Sequence, residues 1–157
     1  MQNRPQVARD IMVTKLVTLH PNMDAHEAIG LLLKNQISGA PVVDEERNFL
    51  GTFSEKECMR VLTDAIYDQV PTNEIQYFLD PNPDTISEDA GILSIIQIFK
   101  DTHRRRLPVL RDGKVVGQIS RRDILRTAHD LLKMDPEDET TVLYLSALRE
   151  RGEAPVQ

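Results

Sequence analysis

The feature that most constrains this chain is an internal duplication. Residues 38–57, SGAPVVDEERNFLGTFSEKE, read like residues 105–123, RRLPVLRDGKVVGQISRRD. Pro41 aligns with Pro108 and Gly51 with Gly117, and the second copy is one residue shorter between those anchors. Upstream, LVTLHP (16–21) aligns with PDTISE (83–88), pairing Thr18 with Thr85. Each copy carries about 55 residues at an offset of 66 or 67, a period longer than the roughly 20–50 residues of solenoid repeats. Two copies of one supersecondary unit are implied, each completing the other's core.

Within each copy the apolar periodicity switches. Leu16–Leu19 is a short extended run. Asp24 then opens a helical pattern, with Ala25, Ala28, Ile29, Leu32 and Leu33 on one face and Glu27 at capping-box spacing. Ala40–Val43 reads as a strand, 44–48 as a turn, and Phe49–Phe53 as a second strand. Ser54 opens a second helix carrying Met59, Val61 and Leu62. The second copy repeats the order: Thr85–Ile86, a helix marked by Ile92, Ile95, Ile96 and Phe99, strands at 107–110 and 115–119, and a helix from Ser120. Asp112-Gly113 is a tight-turn signal between the paired strands. The expected fold is α/β (α+β): two pseudo-symmetric β-α-β-β-α units packed as one module. The expected boundaries are 7–66 for the first repeat, 67–81 for an irregular linker and 82–134 for the second repeat. A short amphipathic helix is expected at 135–150 and a disordered tail at 151–157.

Composition removes several function classes. The 157 residues carry a formal net charge of −6, and seven aromatics include no Trp; an acidic chain with few stacking rings is not a nucleic-acid platform. The lone Cys58 forms no intrachain disulfide and is expected as a small buried apolar group. His20, His26, His103 and His129 lack metal-ligand spacing. No apolar run approaches the roughly 18 residues that span a bilayer, and no secretory signal is seen; the expected location is cytoplasmic. No nucleophile–base order or Gly-rich phosphate loop marks an enzyme.

The order RDIM (9–12), SGAPVVD, LGTFSEKE and, in the second copy, LPVLRDGKVVGQISRRDILR resembles the cystathionine-β-synthase (CBS) domain family, as a tandem pair over residues 7–133. The resemblance implies a stand-alone regulatory module of Bateman type. It binds an adenosine-containing ligand between its repeats, pairs into homodimers and modulates a partner protein. AMP, ADP or ATP is the expected ligand, with S-adenosylmethionine and NADH ranked behind them.

The family's ligand motif is a hydroxyl residue followed three positions later by Asp. One carboxylate can accept from both ribose hydroxyls, and the free N–H groups of the helix start suit phosphate. The second copy carries Ser120 and Asp123, whereas the first has Ser54 and Glu57, one methylene longer. The same spacing is also a helix-capping arrangement. By resemblance, Ile119 joins the Asp123 site, and Met12, Leu16, Val17, Ile37 and Ser38 supply its base pocket from the other repeat. The weaker mirror site uses Glu57, Ser54, Asp84 and Arg104. There Pro83 removes a backbone donor, and the resemblance implies one good site and one degenerate or differently used site.

Arg104, Arg105 and Arg106 precede one strand, while Arg121 and Arg122 flank Asp123. Guanidinium groups suit phosphate through bidentate contacts. Arg105, Arg106 and Arg122 are the expected phosphate contacts, with Arg104 and Arg121 facing solvent. The competing reading is a constitutive dimerisation module without a nucleotide. The last helix is expected at a dimer interface or on a partner.

Overall fold

The structure, a computed structural model, describes residues 7–67, 73–80 and 82–132. The expected helix at 135–150, the tail at 151–157 and part of the linker lie outside the described residues.

The elements run α1 (Ala8–Ile11), α2 (Ala25–Lys34), β1 (Gly39–Val43), β2 (Phe49–Ser54), α3 (Glu55–Tyr67), a 3-10 turn (Ile75–Phe78), β3 (Ile86–Ser87), α4 (Ile92–Asp101), β4 (Arg106–Arg111), β5 (Lys114–Ser120) and α5 (Arg121–Leu132). The duplication is visible in space. Leu19 bridges Val42 in parallel, and Ile86 bridges Val109 in parallel, one repeat further on. β1 and β2 form an antiparallel pair, as do β4 and β5, with a register irregularity at Val42/Val43 and at Val109/Leu110. The expected first strand at 16–19 reduces to that single Leu19 bridge.

Local chemistry explains the elements. Asp24 caps α2, its side chain accepting from the backbone N–H groups of His26 (2.8 Å) and Glu27 (3.4 Å). The turn of the first hairpin closes on Asp44, whose carboxylate accepts from the N–H groups of Glu46 and Asn48, both at 2.9 Å. In the second hairpin Asp112 and Gly113 both take positive φ, 50° and 76°, the backbone that a two-residue turn matched to strand twist requires.

Two apolar cores result. Leu19, Ala28, Leu32, Val42, Phe53, Cys58 and Val61 fill the first, and Ile86, Ile95, Phe99, Leu107, Val109 and Ile119 the second. Cys58 is a buried thiol, as expected; burial, then the neighbouring Glu57 charge, pushes its pKa up.

Sequence order and spatial order differ at both entry segments. Ala8, fully buried, belongs to the second core, and α1 is tied there by Ala8 N–H to Ala90 O (2.9 Å) and Arg9 N–H to Glu88 O (3.0 Å). Conversely Ile75 and Phe78, within the expected linker, fill the first core, with Ile75 N–H bonded to Met23 O at 3.0 Å. Each repeat is therefore completed by the segment that precedes the other. The exchange also places Met12 beneath β5, where a Cβ on Gly117 would stand 2.5 Å from Met12 Sδ. Val13 and Gln118 then bridge the repeats through two backbone hydrogen bonds of 2.9 and 3.0 Å. No described helix is long and apolar enough to cross a membrane.

Candidate functional site

Two cavities open between the repeats. The smaller, about 250 Å³, is lined by Val13, Lys15, Leu16, Val17, Ile37 and Gly39 from the first half and by Arg106, Gln118, Ser120 and Asp123 from the second. The larger, about 560 Å³, lies against β1 and β2 at Gly39, Ala40, Pro41, Thr52 and Ser54, with Glu55 and Lys56 at the start of α3. Its far wall is Asp84, the run Thr102–Arg106, Pro108 and Gln118.

The small cavity takes its polar wall from the β4–β5 pairing. Arg106 sits opposite Ser120 in register, and β5 alternates, burying Val115, Gly117 and Ile119 while leaving Gln118 and Ser120 half-buried. At the strand-to-helix corner the Asp123 carboxylate accepts from Ser120 N–H and Ser120 Oγ, both at 2.8 Å, while Asp123 N–H reaches Ser120 Oγ at 3.2 Å. This reciprocal pair is a capping box. The other carboxylate oxygen lies 3.6 Å from Arg126. Opposite stand the apolar side chains of Leu16, Val17 and Ile37.

Of the residues expected at this site, the structure brings Ser120, Asp123, Arg106, Leu16, Val17 and Ile37 around one cavity. It places five elsewhere. Ile119 is fully buried in the second core, because strand alternation turns it away from Ser120. Met12 packs beneath Gly117 instead of facing a base. Ser38 and Arg105 line the large cavity, and Ser38 O accepts from Glu55 N–H at 2.9 Å. Arg122 is exposed and lines neither cavity. Sequence reasoning missed Val13, Lys15, Gly39 and Gln118; Gln118 was within reach, since it stands two residues before Ser120 on the same face of β5.

The large cavity differs from the expected mirror site. Glu57 does not line it; it is 4% exposed and turned onto Ser54, accepting from Ser54 N–H (2.9 Å) and from Ser54 Oγ. Arg104 is not free in solvent. Its Nε donates to Asp84 at 2.8 Å and its Nη2 reaches Asp80 at 2.8 Å and Asn82 O at 3.3 Å. Burial alone would raise the Asp80 pKa, but the Asn82 N–H and the Arg104 guanidinium outweigh it and hold Asp80 below its ordinary value. One guanidinium thus bridges the two carboxylates, Asp80 and Asp84. Lys56, Arg105 and Arg106 outnumber Glu55 and leave the wall net cationic. Arg121 bonds to Thr102 O at 3.1 Å and Phe99 O at 3.4 Å, closing the end of α4. Among the described residues no group of three His, Cys, Asp or Glu side chains could hold a metal ion.

Comparison with known proteins agrees with this architecture. The family model for the CBS domain matches twice, at residues 8–64 and 74–130. An uncharacterized protein of Methanocaldococcus jannaschii is 31% identical over 125 residues, covering 75% of this chain and 41% of the relative; the chain thus spans less than two thirds of that protein. The crystal structure of CBSX2 in complex with AMP superposes with a TM-score of 0.72 at 22% identity, covering 82% of this chain and 100% of that one. That of CbpB in complex with c-di-AMP gives 0.71 at 22% identity, covering 80% and 86%.

Proposed function

Because the chain belongs to the CBS domain family, we propose that it is a regulatory module that binds an adenosine nucleotide (AMP, ADP or ATP) between its two repeats and thereby modulates a partner protein. One observation carries the reading: the Ser120–Asp123 corner and Arg106 share a cavity with the apolar Leu16, Val17 and Ile37. A carboxylate accepts from the two ribose hydroxyls, a guanidinium meets phosphate, and flat apolar surface accepts the base. CBSX2 with AMP and CbpB with c-di-AMP join adenine to phosphate in the same fold. Lys15 and Arg106 in the small cavity's wall weigh against S-adenosylmethionine, whose sulfonium would face like charge. Ligand binding regulates a partner only through different affinities for two states of the module.

Pairing of two copies belongs to the same reading. Met59, Leu62 and Ile66 stand at helical spacing on α3 and are 58%, 49% and 75% exposed, an apolar stripe that a second copy would cover.

A second reading, a dimerisation module without nucleotide, draws on the capping boxes: both the Glu57 and the Asp123 carboxylates already serve a helix start. Calorimetric titration with AMP, ADP, ATP, NADH and S-adenosylmethionine separates the two. Saturable binding of an adenosine phosphate supports the sensor, and silence across the panel from folded, ligand-free protein supports the second reading.

A further inference from the structure

The two cavities are not separate rooms. Gly39, Arg106 and Gln118 line both. Gly39 offers no side chain and Gln118 no charge, so Arg106 is the one charged group in the shared wall. Arg104 is engaged by Asp80 and Asp84, whereas no ion pair joins Arg106 to any described residue. We propose, resting on the nucleotide-binding reading above, that Arg106 is a common anion contact for both cavities and makes their occupancy negatively coupled.

The physical argument is short. A phosphate in either cavity draws the guanidinium toward itself and partly neutralises it. A second phosphate then meets a spent cation and the charge of the first anion. Near a protein surface such interactions are several-fold stronger than in bulk water, even for an exposed guanidinium such as that of Arg106. A ligand without phosphate does not engage the guanidinium, and the coupling vanishes.

The test is a thermodynamic cycle by calorimetry. Asp123→Ala leaves the large cavity to be measured alone, and Lys56→Ala with Arg105→Ala leaves the small one. The affinities from these two variants, multiplied, give the two-ligand constant of independent cavities. For AMP the wild-type constant falls at least fivefold below that product, the lower range of typical coupling. For adenosine, and for AMP in the same set carrying Arg106→Gln, it equals the product. A wild-type stoichiometry of one, with both variants still binding, is the limiting form of the same result. Product-law behaviour for AMP overturns the proposal, as does a deficit that survives Arg106→Gln or binding by only one of the two cavities. Absence of AMP binding in every protein refutes the nucleotide reading itself, a distinct outcome.

Discussion

The Asp123 carboxylate stands 2.8 Å from both the backbone nitrogen and Oγ of Ser120. One oxygen therefore serves the helix start while the side chain still lines the cavity. The two roles separate by substitution. Asp123→Asn keeps an oxygen for the cap and removes the charge. A hydrogen bond to a charged group contributes about 1.5–3 kcal/mol, so AMP affinity falls about tenfold or more with little change in melting temperature. Ser120→Ala loses the cap hydroxyl, costs about 0.5–2 kcal/mol and weakens AMP less. Calorimetry and thermal unfolding of both variants check this; equal loss of affinity with Asp123→Asn unfolding early would assign the carboxylate to structure alone.

Residues 75–78 behave as core. Ile75 is fully buried against the first repeat. Ile75→Ala destabilises by about 2–5 kcal/mol, the cost of a buried aliphatic truncation, where a true linker position would change by less than about 0.5 kcal/mol. The urea midpoint of the variant distinguishes them.

The contact of Met12 with Gly117 makes a cross-repeat cycle. Gly117→Ala places a methyl 2.5 Å from Met12 Sδ and 2.8 Å from its Cγ. Overpacking of this kind costs about 1–3 kcal/mol. Met12→Ala costs stability alone but restores part of it in the Gly117→Ala background. Additive losses in urea unfolding would mean that the two residues do not touch.

The Asp80–Arg104–Asp84 clamp predicts an acid limb. Asp80 is held below its ordinary value in the folded protein. Its contribution is therefore complete above the unfolded pKa, about 4, and is lost as pH falls through the lower folded value. Between pH 6 and 3 the urea midpoint of wild type declines more steeply than that of Asp80→Asn. Identical pH profiles would remove the clamp from the account.

The duplication, the element order and the Arg106–Ser120 neighbourhood were legible because short-range pattern encodes them: helix caps, strand alternation and one hairpin turn. What escaped depends on long-range exchange. Nothing local tells that Ala8 fills the second core or Ile75 the first. Ile119 obeys strand alternation and not the resemblance, since a residue adjacent to Ser120 on a strand faces the other way, here into the second core. The resemblance places Arg104 beside Asp84 but not beside Asp80, which lies more than twenty positions away in the sequence.

The most direct measurement is a crystal structure of the protein with AMP. The account predicts ribose hydroxyls on the Asp123 carboxylate, phosphate at Arg106 and adenine against Leu16, Val17 and Ile37. AMP seated outside both cavities between the repeats, or in them without contact to Asp123 or Arg106, would contradict it.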